Sequence, residues 1–323
     1  MKLLITGATG FVGSQLIKYP AFQKKHSLKV LVRKTSRLDD LKDLNLEICF
    51  GDVNDPESLK NAVHDVEAVI HLVSLIGESG TREEFFKVNV EGTRNVLEAC
   101  KKLKLKRFVH VSSLSVITGY KDHDGTKEDA PYLPTGENYA DSKIEGEKLA
   151  LDYYRKYQLP VTILRPGFIY GRGDKLFLPA VIQNLREGKV ILIDQGKKFL
   201  NLTYIENLIE AIELALQKEE AVGEIFNITD GEKITKKQFF YKVADLTSLP
   251  RPTKSIPFFA ARFLCQVMTF LFKILRIKKT PPITRMKLRF AGQNQCFDIS
   301  KAETKLGYQH KIQFDQAIQK AVK

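Results

Sequence analysis

Tyr139 and Lys143 lie four residues apart in Tyr139-Ala140-Asp141-Ser142-Lys143, so on a helix their side chains share one face. A free phenol, with a pKa of about 10, is a poor acid–base group at neutral pH. An ammonium one turn away stabilises the phenolate and draws that pKa toward the working range. Ser113, 26 residues before the tyrosine, stands at the end of an apolar run and adds a hydroxyl to the same constellation. Such a set is suited to moving a proton.

A second feature lies at the start of the chain. Gly7-Ala8-Thr9-Gly10-Phe11-Val12-Gly13 directly follows an apolar run. Glycines between a strand and a helix let backbone N–H groups and the helix N-terminus approach a pyrophosphate, where side chains would stand in the way. The spacing is GxxGxxG rather than GxGxxG. About 20 positions past such glycines, a carboxylate would bind a ribose 2′-hydroxyl, whereas an arginine suits a 2′-phosphate. This chain has Arg33 and Lys34 there and no carboxylate, which predicts NADP(H) over NAD(H).

The elements that must carry these residues alternate regularly. Apolar runs at Lys2–Thr6, 28–32, Leu46–Phe50, 68–73, 107–112 and 161–165 predict strands buried on both faces. Helical patterns separate them at 11–19, 56–63, 83–102 and 139–157. That alternation predicts an α/β fold, a doubly wound parallel sheet of Rossmann type. Residues 1–170 are expected to form the nucleotide-binding domain, with some later segments returning to it. Residues 171–323 are expected to form a smaller C-terminal α/β lobe for substrate. Helices are expected there at 176–187, 205–218 and 236–247.

Several further motifs follow in order: Gly51-Asp52-Val53-Asn54-Asp55, His71-Leu72-Val73, Asn89-Val90-Glu91-Gly92-Thr93, Val111-Ser112-Ser113 and Leu164-Arg165-Pro166-Gly167-Phe168-Ile169-Tyr170-Gly171. With the glycine turn and the Tyr139 segment, they make the chain resemble an extended short-chain dehydrogenase/reductase over nearly its whole length. The tail narrows the likeness. Pro281-Pro282-Ile283-Thr284, Phe297-Asp298-Ile299-Ser300-Lys301-Ala302 and Leu306-Gly307-Tyr308 resemble the 3β-hydroxysteroid dehydrogenase and dihydroflavonol reductase branch.

The resemblance implies roles. Tyr139 would protonate a carbonyl oxygen, Lys143 would hold the nicotinamide ribose and depress the Tyr139 pKa, and Ser113 would orient the carbonyl. Ser112 would finish its strand. Gly7, Thr9, Gly10, Phe11, Val12 and Gly13 would cradle the pyrophosphate, and Asp52 and Val53 would contact adenine. Val73 and the turn Pro166, Gly167, Phe168, Ile169 would flank the nicotinamide, with Asn89 on a helix nearby. Asp52 could instead cap the helix after it, Asn89 could be a buried helix residue, and His71 is expected as a core histidine. The implied function is an NADP(H)-dependent oxidoreductase acting on a ketone or secondary alcohol of a bulky, steroid- or flavonoid-like molecule. Two alternatives share the fold: a nucleotide-sugar epimerase or dehydratase with bound NAD, and a non-catalytic nucleotide-binding subunit of a membrane complex. Homodimers are common in the family.

Charge separates the two halves. Residues 1–231 hold 32 Lys+Arg against 33 Asp+Glu, whereas residues 232–323 hold 19 against 5. Within that basic third, 256–277 is the most apolar stretch of the chain. Arg262, Gln266, Lys273 and Arg276 interrupt it, so it is not expected to span a membrane. With Thr269 these polar residues form one narrow helical stripe, and the rest of the circumference is apolar. Such a helix is expected to be a lid packed on the nucleotide-binding domain and lining the substrate pocket. The competing expectation is a peripheral membrane contact through 256–279, helped by Lys278 and Lys279. Nucleic acid is not expected as a partner, because the aromatics lie opposite the basic stripe rather than among it. The four scattered cysteines predict neither a metal site nor disulfides, and no signal peptide is expected. A cytoplasmic protein, with the inner membrane surface as its one candidate membrane, fits these features.

Overall fold

The computed structural model describes residues 1–275, 277 and 283–322. Arg276, Lys278, Lys279, Pro281 and Pro282, which entered the expectations above, lie outside the described residues.

Seven parallel strands form the central sheet: β1 (Lys2–Thr6), β2 (Ser27–Val32), β3 (Leu46–Phe50), β4 (Ala68–His71), β5 (Arg107–Val111), β6 (Val161–Pro166) and β7 (Ile225–Ile228). Their order across the sheet is β3-β2-β1-β4-β5-β6-β7. The inner strands are buried on both faces because helices cover both, whereas β3, expected to be buried likewise, lies at the sheet edge and leaves Ile48 and Phe50 exposed. Leu3, Ile5, Val30, Val32, Ile70 and Val109 face one core, shared with the helices Phe11–Lys18 and Ile205–Gln217. Leu4, Leu31, Val69 and Phe108 face the other, shared with Pro56–Ala62, Gly92–Cys100 and Asn138–Tyr157. The chain leaves β1 toward β2 on one side and resumes at β4 on the other. The crevice of a doubly wound sheet lies at that reversal, outside the carboxyl ends of the strands.

The six expected strands form within a residue or two. The seventh was not foreseen. Ile225-Phe226-Asn227-Ile228 is too short, and too polar at Asn227, to stand out, and it becomes a strand because β6 offers a free edge. It and the helix Ile205–Gln217 bring chain from beyond residue 170 back onto the sheet. Beyond residue 170 the helices Phe177–Arg186, Lys236–Leu246 and Phe314–Val322 also pack around the buried ring of Phe239.

Candidate active site

The glycine turn sits where β1 ends, beside the chain leaving β4. Gly7 has φ +78°, and a Cβ there would come within 3.0 Å of the backbone of Leu72 and Val73. A Cβ on Gly13 would lie 2.2 Å from the carbonyl oxygen of Gly7. The two glycines therefore let β1, the first helix and the β4 exit close on one another. Gly10 is the N-cap of the helix Phe11–Lys18 and offers no side-chain cap. The helix thus begins with N–H groups that its own cap leaves for an anion. Thr9 and Gly10 are exposed at this opening, while Phe11 and Val12 are half-buried. The turn fits a pyrophosphate by this measure.

Arg33 and Lys34 are exposed immediately past the end of β2. The Gly51 N–H donates to the Val32 carbonyl at 2.9 Å, which brings the Gly51–Asp55 turn alongside them. Asp52 does not cap the following helix. Asp55 does, accepting from the Glu57 N–H, and Asp52 instead accepts from the backbone and side chain of Asn54. Val53 turns its side chain into the core against Gly92, and its carbonyl accepts from Asn95.

The proton-handling set assembles at the end of β5. The Tyr139 hydroxyl hydrogen-bonds to Ser113, whose Oγ also accepts from the Ser115 N–H at 3.1 Å. Ser112 is buried, and its N–H donates to the Leu164 carbonyl on β6. Lys143 is buried one turn along the helix and donates from Nζ to the Val111 carbonyl at 2.8 Å. Burial pushes its pKa down to about 8, against the opposing charge of Glu147.

The expected depression of the Tyr139 pKa by Lys143 is corrected here. Burial raises the Tyr139 pKa, and the opposing influences are the bond with Ser113 and the charge of Arg289. Lys143 spends its ammonium on the strand end instead. A phenol that keeps its proton is the form a general acid needs.

Asn89 is the buried helix residue that the alternative expectation described. It is buried in a π-helical turn, Lys87–Glu91, inside the long helical segment between β4 and β5. Its Oδ1 accepts from the Leu75 N–H at 2.6 Å, and its Nδ2 donates to the Leu75 carbonyl and to Ser142 Oγ. The amide thus ties the loop after β4, where Val73 lies half-buried, to the helix carrying Tyr139 and Lys143. Gly146 makes this approach possible, since a Cβ there would lie 2.7 Å from the Asn89 carbonyl oxygen. His71 is held between Thr6 and Thr93, and burial pushes its pKa down to about 3, so it is a neutral core residue.

Below Lys143, Glu147 and Arg165 form a fully buried pair with Nε–Oε1 at 3.0 Å and Nη2–Oε1 at 2.5 Å. Tyr132 and the Glu128 carbonyl complete their hydrogen bonding. The pair fixes the helix against β6 and its continuation, Pro166-Gly167-Phe168-Ile169. Gly167 is required there because a Cβ would lie 2.0 Å from the Asn201 carbonyl oxygen. The ring of Phe168 stacks on Phe177 at 5.3 Å and meets Phe290 edge-on at 4.9 Å, while Ile169 is half-buried. Aromatic rings therefore line the turn that follows β6.

Arg289 was not foreseen. It is buried on the helix Arg285–Gly292, with Nη2 at 2.7 Å from the Glu137 carboxylate and Nη1 unpartnered. In the sequence it is one of ten basic residues between Asp245 and Asp298, and only the fold singles it out.

The lid expectation is also corrected. The helix Phe258–Ile274 forms, but it docks by a narrow face: Ala261 and Cys265 are buried, and Phe258 lies against Gly292. The layer that reaches the site is the helix Arg285–Gly292, through Arg289 and Phe290. The large side chains a lid would turn inward, among them Phe259, Phe263 and Phe270, are exposed.

The model of the NAD dependent epimerase/dehydratase family matches residues 3–229. Over 98% of its length the chain is 29% identical to 2-alkyl-3-oxoalkanoate reductase from Shewanella oneidensis, covering 84% of that protein. It is 26% identical to the decarboxylating sterol-4-alpha-carboxylate 3-dehydrogenase of Mus musculus, over 99% of this chain and 90% of the mouse protein. The crystal structure of UDP-glucuronic acid 4-epimerase from Bacillus cereus in complex with NAD shares the fold. It has a TM-score of 0.77 and 22% identity, over 100% of this chain and 97% of the other.

Proposed function

The chain belongs to the NAD dependent epimerase/dehydratase family and is an NAD(P)-dependent oxidoreductase, and from that premise we propose that it uses NADP(H) to interconvert a ketone and a secondary alcohol on a bulky, largely apolar molecule. The observation that carries this reading is the hydrogen-bonded pair Ser113–Tyr139, with Lys143 buried one turn away, at the carboxyl ends of the strands beside the glycine turn.

Gly7, Thr9, Gly10 and Gly13 would hold the pyrophosphate, Arg33 and Lys34 the 2′-phosphate, and Lys143 the nicotinamide ribose. Asp52 and Val53 lie on the adenine side, and Val73 and Pro166 to Ile169 on the nicotinamide side. A bound nicotinamide supplies or accepts the hydride. The protein's own part is the proton. Ser113 Oγ and the Tyr139 hydroxyl are neighbours, so a carbonyl oxygen placed against both would receive two hydrogen bonds and then the phenolic proton. In the reverse direction the Tyr139 phenolate accepts the alcohol proton while Ser113 keeps its hydrogen bond to the substrate oxygen. Lys143 keeps its charge below pH about 8, and that charge would serve the nicotinamide ribose rather than the phenolate.

Two observations support a bulky apolar substrate. The turn after β6 is lined by Phe168, Phe177 and Phe290, and the relatives include enzymes named for an alkyl-branched oxoalkanoate and for a sterol. The test is a screen of NADPH and NADH consumption against steroid ketones, long-chain oxo compounds, flavonoid ketones and short aldehydes. NADPH consumption with the large apolar ketones is expected. Consumption with none of them, together with NAD retained through purification, would overturn the reading in favour of an epimerase or dehydratase.

A further inference from the structure

The helix Phe258–Ile274 has three sides. Ala261 and Cys265 are buried against the helix Arg285–Gly292 and its approach, where Cys265 donates to the Ile283 carbonyl. Arg262, Gln266 and Thr269 form an exposed polar edge. At 3.6 residues per turn, Phe259, Phe263, Val267, Phe270, Leu271 and Ile274 fall together on the remaining arc. All six are exposed, Phe259 to 75%, Phe263 to 64% and Phe270 to 63%. Leu264 and Leu275 widen the arc, and Ile277 continues it past the helix end. Water-facing apolar surface of this size and continuity marks a site of interaction.

Charge identifies the occupant. Between Asp245 and Asp298 the chain has ten Lys or Arg and no Asp or Glu. Arg251 and Arg289 are ion-paired inside the molecule, while Lys254, Arg262 and Arg285 are exposed around the arc. A second copy docking here would bring two strongly basic segments together, each with ten Lys or Arg against the nearby carboxylates of Asp194 and Glu78, which accept from the Phe258 N–H and the Thr284 hydroxyl. An anionic bilayer surface instead offers hydrocarbon to the arc and lipid phosphates to the basic border. Among the described residues no helix is long and apolar enough to cross a membrane, so the contact is with the surface.

We propose that the exposed arc of the helix Phe258–Ile274 inserts into the interface of an anionic lipid bilayer, with its basic border on the headgroups. The site then lies one helix away from the lipid, since the helix Arg285–Gly292 packs between this arc and Glu137 at the start of the Tyr139 helix.

The chain contains no tryptophan, which permits a direct test. Phe263→Trp in the full chain places a single fluorophore on the arc. With phosphatidylglycerol-containing vesicles its emission is expected to move to the blue and to be quenched by brominated acyl chains, and pure phosphatidylcholine should give far less of either. A second variant, Phe259→Ser with Phe270→Ser, is expected to lower the vesicle-bound fraction in flotation roughly ten-fold. Its melting temperature should stay unchanged, because both side chains are already in solvent. A blue shift that needs no lipid and grows with protein concentration would overturn the proposal in favour of a dimer face. A blue shift produced by NADPH alone would overturn it in favour of a closing lid. No shift with anionic vesicles would also overturn it.

Discussion

Around the carboxyl ends of β1, β4 and β5, a set of buried polar side chains is answered by partners, although Ser112 Oγ and the His110 ring nitrogens are not. Asn89 is satisfied by Leu75 and Ser142, His71 by Thr6 and Thr93, and Glu147 by Arg165 and Tyr132. Along the helix Phe258–Ile274 the situation is inverted, with large apolar side chains exposed and unanswered. A buried polar group is tolerated only in one geometry, so a site built from such groups is held rigid. An exposed apolar arc specifies no internal geometry, and its requirement is met from outside. The first region is where chemistry can be positioned to a fraction of an ångström, and the second is where the molecule meets something else.

That contrast breaks first if the inner region tolerates change. Tyr139→Phe removes one hydroxyl and should lower kcat by about 10²- to 10⁴-fold while leaving the dissociation constant for NADP(H) unchanged. Steady-state assays and cofactor titration check both halves. Retained turnover would remove Tyr139 from the mechanism.

The next largest effect concerns stability. Glu147→Ala strands the buried Arg165 and should cost about 3–5 kcal/mol in denaturant unfolding. Phe270→Ser, on the exposed arc, should stay within about 0.5 kcal/mol of the parent. Equal costs would mean that the outer helix is as deeply integrated as the inner one.

The two regions also differed in how far the sequence disclosed them. The glycine turn, Ser113 and the Tyr139/Lys143 pair were visible because their chemistry depends on local spacing: a turn after a strand, or two positions on one helical face. Arg289 and the Asn89 clamp were not, because they act across the fold. Glu137 and Arg289 are 152 positions apart, and Asn89 meets Ser142 only because Gly146 lets two helices touch. The seventh strand was hidden for a similar reason, since its pairing edge is supplied by β6. For the helix Phe258–Ile274, periodicity disclosed the polar stripe but not which apolar side faces inward. Ala261 and Cys265 are the smallest apolar residues on it apart from Ala260, and close packing on a neighbouring helix selected them over the phenylalanines.

A smaller effect sharpens the account of the cofactor end. Arg33→Asp replaces an exposed cation beside the expected 2′-phosphate with a charge that repels it. NADP binding should weaken about ten- to hundred-fold and NAD binding little, as expected from loss of one charge-assisted contact. Equal losses for the two cofactors would show that Arg33 does not read the phosphate.

The finest test lies in the pH profile of the inner region. Reduction needs Tyr139 protonated and Lys143 charged. Burial raises the Tyr139 pKa above its ordinary value, so its proton is retained through neutral and mildly alkaline pH. Lys143, lowered to about 8, loses its charge first as pH rises. The kcat/KM for NADPH, which reports groups of the free enzyme, should therefore be flat near neutrality and fall through pH about 8. Glu147 carries the negative charge that holds the Lys143 pKa up, so Glu147→Gln should move this fall to lower pH. Arg289 carries the positive charge that holds the Tyr139 pKa down, so Arg289→Met should move only the tyrosine and leave the fall where it is. The opposite pattern, with Arg289→Met shifting the limb and Glu147→Gln leaving it in place, would assign the titration to Tyr139 and return Lys143 to a purely structural bond with Val111.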